Sequence, residues 1–173
     1  SDAVMITGCH YLRNSGASGQ SKFGVGFTMY SQSIFVYDTL FEENYRTDGS
    51  DAVFRVRDGA YLLVTSTIIK GNYLVGTEGT VGAAIHVSAS ADAIFEDVQF
   101  LSNSGFGEGC IGLVETSATL LCTSCVFDGN IGDNFLLKFG EETVGVFPNL
   151  TYVNNEATGQ GPAFYLQAGA SVT

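Results

Sequence analysis

The chain has 173 residues, with 18 acidic against 7 basic side chains and a formal net charge of −11, a balance that argues against a nucleic-acid backbone or an anionic membrane surface as partner. Its 22 glycines against two prolines, 45% hydrophobic and 12% aromatic content, and lack of Trp fit one globular domain of many short strands joined by turns better than helices or disorder. No apolar run nears the roughly 20 residues of a membrane-crossing helix, and the first residues lack the basic-then-apolar pattern of a signal peptide.

Taken in chain order, the sequence repeats itself. Anchored on an asparagine, six segments superpose without a gap: VMITGCHYLRN ending at Asn14, IFVYDTLFEEN at Asn44, LLVTSTIIKGN at Asn72, AIFEDVQFLSN at Asn103, LLCTSCVFDGN at Asn130 and GVFPNLTYVNN at Asn155. The asparagines stand 30, 28, 31, 27 and 25 residues apart, inside the range that signals a solenoid.

Each unit divides into three predicted strands. Strand A alternates with period two, placing Phe27, Phe54, Ile85, Gly112, Leu137 and Phe164 inward, followed two residues on by Met29, Val56, Val87, Val114, Phe139 and Leu166. Gly112 is the weak member, and its neighbours Ile111 and Leu113 suggest a register adjustment there. A corner of small residues leads to strand B, and a second corner leads to the short strand C. The second corner is Thr7-Gly8, Tyr37-Asp38, Thr65-Ser66, Glu96-Asp97, Thr123-Ser124 or Pro148-Asn149, nearly all turn formers. Strand C ends in an interior aromatic or aliphatic residue (Tyr11, Phe41, Ile69, Phe100, Phe127, Tyr152) and, three positions later, the asparagine. A polar, glycine-rich loop of variable length follows.

Three short strands per unit and no helical periodicity predict an all-β parallel β-helix, about six coils of 25–31 residues, open at both ends. The rule for parallel crossovers makes it right-handed. The repeated asparagine falls where the chain must turn. Its tolerance of left-handed backbone angles and its two-sided amide predict that Asn14, Asn44, Asn72, Asn103, Asn130 and Asn155 stack as a hydrogen-bonded ladder.

FEEN at 41–44, FLSN at 100–103 and FDGN at 127–130, with GAAI at 82–85 and GPAF at 161–164, resemble the FxxN and GGAI repeats of the chlamydial polymorphic outer-membrane protein type. That type is a right-handed parallel β-helix within the pectin-lyase-like group. The resemblance runs over essentially the whole chain, with three of six units keeping Phe before xxN. It implies a secreted or surface-displayed passenger, stalk or adhesin, extracellular or on the cell surface, with a structural or binding role.

Pectin-lyase-like enzymes are the rival expectation. Their chemistry needs acidic groups adjacent across neighbouring coils. The outward rows predicted for strand A are Thr28, Arg55, His86, Leu113, Lys138, Tyr165 and Arg57, Ser88, Glu115, Gly140, Gln167, and no two carboxylates stack in either. His86 reads as an exposed polar side chain, and His10 lies three coils away on strand C, too far to share a metal at ~4.8 Å per coil. No catalytic residue, cofactor or metal ligand set is therefore assigned. The loops YRTDGSD and GTEGT lack the ligand spacing of known calcium repeats.

Cys122-Thr-Ser-Cys125 has no helix to make it a thioredoxin-like site. Three readings stay open: two buried thiols, a disulfide across the corner, or a zinc site lacking further ligands. Cys110, on the same coil, is an alternative partner, and Cys9 is four coils from Cys125. Asn149-Leu150-Thr151 is the only N-glycosylation sequon, at the corner between strands B and C.

Strand B departs from simple alternation. Between its inward rows lies a third apolar row: Met5, Phe35, Leu63, Ile94, Leu121 and Val146. Such a stripe on a soluble rod marks a contact surface, covered either by the same chain or by another molecule. Both ends of the chain fall inside a repeat, so residues 1–173 read as a segment of a longer repeat protein or as a rod whose copies stack end to end. The functional expectation is a non-catalytic structural or adhesive solenoid in a surface stalk or filament. Its partners would be copies of itself or another surface protein, with glycans as a further class.

Overall fold

In the computed structural model, residues 3–16, 27–46, 52–75, 84–106, 111–115, 117–159 and 164–173 are described. They form an all-β parallel solenoid of about five turns, with no helix among them. Three sheets hold six strands each and the fourth holds seven. Six stacked strands are separated by five rises, which accounts for a turn count slightly below the six repeat units.

The B sheet stacks Ala3–Thr7, Ser33–Tyr37, Tyr61–Thr65, Asp92–Glu96, Thr119–Thr123, Val144–Val146 and Ser171–Val172 in that order. The C sheet stacks His10–Leu12, Leu40–Glu42, Ile68–Lys70, Gln99–Leu101, Val126–Asp128 and Thr151–Val153, and the A sheet runs from Phe27–Tyr30 to Phe164–Leu166. Register follows the repeat: Ile94 pairs with Leu63 and Leu121, and Phe100 with Ile69 and Phe127. A fourth strand, two or three residues long, follows each asparagine, as at Tyr45–Arg46 and Tyr73–Val75, so the coil has four strands rather than three. These D strands are too short to show an alternation in sequence.

The interior is filled by the inward rows of the A, B and C sheets. Phe41, Phe54, Phe95, Phe100, Phe127 and Phe139 are fully buried. Tyr11 stacks on Phe41 with centroids 4.8 Å apart and planes 5° apart, and Phe100 meets Phe127 edge to face at 5.1 Å. Gly112 keeps register, paired between Ile85 and Leu137. A Cβ there would lie 2.9 Å from Leu137 Cδ2, so the glycine makes room for a neighbour instead of adjusting the strand.

Corners are made by left-handed backbone. At the B–C corner the second residue of each pair has positive φ: Gly8, Asp38, Ser66, Asp97, Ser124 and Asn149. At the C–D corner the left-handed residue is the one before the asparagine (Arg13, Glu43, Gly71, Ser102, Gly129, Asn154), not the asparagine itself. The repeated asparagine therefore does not supply the unusual backbone angle.

Candidate functional site

The asparagines serve as cross-coil connectors. Each side-chain nitrogen donates to the side-chain oxygen of the next asparagine: 2.8 Å from Asn14 to Asn44, 2.8 Å to Asn72, 2.9 Å to Asn103, 3.0 Å to Asn130 and 2.8 Å to Asn155. The second amide hydrogen goes to a carbonyl of the preceding coil, as from Asn44 to Tyr11 O and from Asn72 to Phe41 O. Each receiving oxygen also accepts the backbone N–H of the asparagine before it. Interior members of the ladder are buried with both donors and both acceptor positions used.

On strand B, Ile34, Leu62, Ala93 and Leu120 point inward and are buried, and Val36, Val64, Phe95 and Cys122 do the same two residues on. The row between them points out. Phe35, Leu63, Ile94, Leu121 and Val146 are half-buried and Met5 is 70% exposed. Parallel register puts each side chain directly against those of the coils above and below. Stacking alone at ~4.8 Å hides the flanks of such a column, so half-burial is the signature of a row whose tips are open. The charges flanking it on the strands are Asp92 and Glu96, both exposed.

The outward face of strand A is different. His86 points outward as expected, yet it is only 4% exposed, so the reading of an exposed polar side chain is corrected. Leu113 in the same row is 1% exposed and Lys138 9%. The His86 Nε2–Glu115 Oε2 distance is 3.0 Å. That contact, helped by the charges of His86, Lys138 and Arg55, outweighs the opposing effect of burial and holds the Glu115 carboxyl below its ordinary value. His86 Nδ1 is buried and makes no hydrogen bond among the described residues. Beside this pair, Glu115, Ser117, Gly140, Glu141, Glu142 and Gln167 line a surface concavity.

Cys122 and Cys125 form a disulfide with a Cα–Cα distance of 5.7 Å, spanning the B–C corner with both residues fully buried. Ser124 between them is left-handed (φ 53°), the local bend that lets two positions three apart face one another. Cys9 is a free thiol, and Cys110 lies outside the described residues. Asn149 occupies the equivalent exposed corner of a later coil at φ 59°. His10 is exposed, 3.4 Å from Glu42 across the C sheet. Parts of GAAI, GPAF and the loops YRTDGSD and GTEGT lie outside the described residues. Among the described residues no cluster of three or more His, Cys, Asp or Glu could hold a metal, and no helix is long and apolar enough to cross a membrane.

The burial of His86 and Lys138 had no sequence signal, because both are polar residues in an outward row whose one aliphatic member is Leu113. No protein-family model matches the chain, and no curated protein or solved structure does either.

Proposed function

We propose that the chain is a non-catalytic structural or adhesive solenoid, a stretch of an extracellular or cell-surface stalk or filament that associates laterally through the outward face of its B sheet. The observation that carries this reading is the half-exposed apolar column from Met5 to Val146, six coils long and unbroken by a polar side chain. The ladder and the aromatic interior supply stiffness along the axis. A buried disulfide fits an oxidising compartment, and the resemblance to surface-displayed FxxN repeats points the same way. The free edges of the first and last B strands have the geometry to pair with a further coil, whether of the same polypeptide or of another copy.

Sedimentation across a concentration series, with electron micrographs of the concentrated material, tests this. Reversible assembly that Leu63→Glu abolishes is the expected result, and monomers at every concentration would remove the reading.

A second reading, a pectin-lyase-like glycan-binding or polysaccharide-processing β-helix, draws support from the carboxylate-bearing concavity beside Glu115, Glu141 and Glu142. Titration with neutral and acidic oligosaccharides, observing the resonances of those residues, decides for or against it.

A further inference from the structure

Resting on the lateral-association reading, we infer that the partner on the B face is a second copy of this chain lying with its solenoid axis antiparallel, each of coils 1 to 6 facing the coil that completes a sum of seven. The argument is the placement of charge on an otherwise neutral face. Coils 1 to 3 present Ala3, Met5, Thr7, then Ser33, Phe35, Tyr37, then Tyr61, Leu63, Thr65. Coil 5 presents Thr119, Leu121 and Thr123. Coil 4 alone presents carboxylates, Asp92 and Glu96, one at each end of its strand with Ile94 between them.

Two copies can pack these faces about a two-fold axis in two ways. With the axis along the rods, each coil faces its own equivalent and the strand runs in the opposite sense. Asp92 then opposes the second copy's Glu96, and Glu96 opposes its Asp92, so four carboxylates meet across ~10 Å of sheet separation in a partly dried interface. With the axis along the strands, position along the strand is kept and the coil order reverses. Coil 4 then faces coil 3, so that Asp92 meets Tyr61 and Glu96 meets Thr65, hydroxyl groups able to donate to them. The apolar row pairs completely: Met5 with Val146, Phe35 with Leu121, Leu63 with Ile94. Centring the axis on coil 4 would set like charges together again. Centring it one coil later would leave the exposed Met5 side chain uncovered.

Area points to the same register. A five-residue strand is ~17 Å wide and six coils span ~29 Å, about 490 Å² on each copy. The total, near 1,000 Å², only just reaches the size of a specific interface. Shorter overlaps fall below it, so the full six-coil register is the one able to hold, as a weak reversible dimer.

The test uses Thr65→Lys and Glu96→Lys, singly and together, with dimer dissociation constants measured by sedimentation at low and high salt and folding checked by circular dichroism. In the antiparallel dimer, Thr65→Lys faces Glu96 of the second copy, and affinity should rise about tenfold at low salt, fading at high salt. The double variant gathers four lysines in one place and should dimerise at least tenfold more weakly than the unmodified chain. With parallel axes the ammonium introduced by Glu96→Lys instead faces Asp92 of the second copy, and the double variant binds more tightly than the unmodified chain. That result overturns the inference and leaves lateral association standing. A chain that stays monomeric in every form removes both.

Discussion

The outward faces of the A and B sheets are built on the same strand geometry and end up in opposite situations. On the A face the middle of the outward row, His86, Leu113 and Lys138, is buried and Arg55 is half-buried, whereas the B face carries Phe35, Leu63, Ile94 and Leu121 and stays half open. Side-chain polarity alone is thus a poor guide to which outward face of a solenoid meets water. A closed polar face must satisfy its groups internally, and the His86–Glu115 contact does so in part. An open apolar face keeps a cost that a partner can relieve.

Changes at enclosed polar positions should be the most damaging, with the ladder as the benchmark. Asn72→Ala strands two donors of Asn44 and the carbonyl of Phe41, and urea unfolding should show a loss of about 3–9 kcal/mol at 1–3 kcal/mol for each of the three unpaired groups. Adjacent residues of one strand then separate inside from outside. Leu62→Ala should cost about 2–5 kcal/mol and Leu63→Ala less than about 1 kcal/mol under monomeric conditions. Equal costs would mean that the B face is covered after all. On the A face, His86→Ala should cost about 1–3 kcal/mol by removing the partner of Glu115, against about 0.5 kcal/mol or less for Met5→Ser.

Acid should reach the two faces unequally. The Glu115 carboxyl is lowered from 4.5, chiefly by its hydrogen bond to His86, so its contribution is present above pH 4.5 and is lost as pH falls through the lower folded value. Glu115→Gln should flatten that part of the stability–pH curve, and an unchanged curve would exclude the pair as its cause. A stabilising change is expected at the corner entering the B sheet: Ala89 sits at φ 54°, and Ala89→Gly should raise stability by up to about 1 kcal/mol.

The solenoid was legible in the sequence because its two signals, the asparagine spacing and the period-two rows, are reinforced over six units. What was not legible arises from neighbours in space. The left-handed angle sits on Glu43 or Ser102 rather than on Asn44 or Asn103, because the asparagine's side chain is committed to the next coil. Gly112 keeps its place because Leu137 leans into it. His86 is buried although its row reads as polar, since no row carries information about what lies over it. The D strands escaped notice because two or three residues cannot display a period.

The A–B, B–C and C–D corners, turned in one coil by the left-handed residues Asp58, Ser66 and Gly71, have a practical consequence. Phe54 to Asn72, Ile85 to Asn103, Gly112 to Asn130 and Leu137 to Asn155 are each 18 positions apart, and Phe27 to Asn44 is 17, so the run through strands A, B and C hardly changes length. From asparagine to the next strand A the count goes from 13 (Asn72 to Ile85) to 7 (Asn130 to Leu137). Nearly all the natural variation in coil length is absorbed along one edge of the rod. That edge is where foreign peptides could be grafted at successive heights, ~4.8 Å apart, making the solenoid a display rack with regularly spaced shelves.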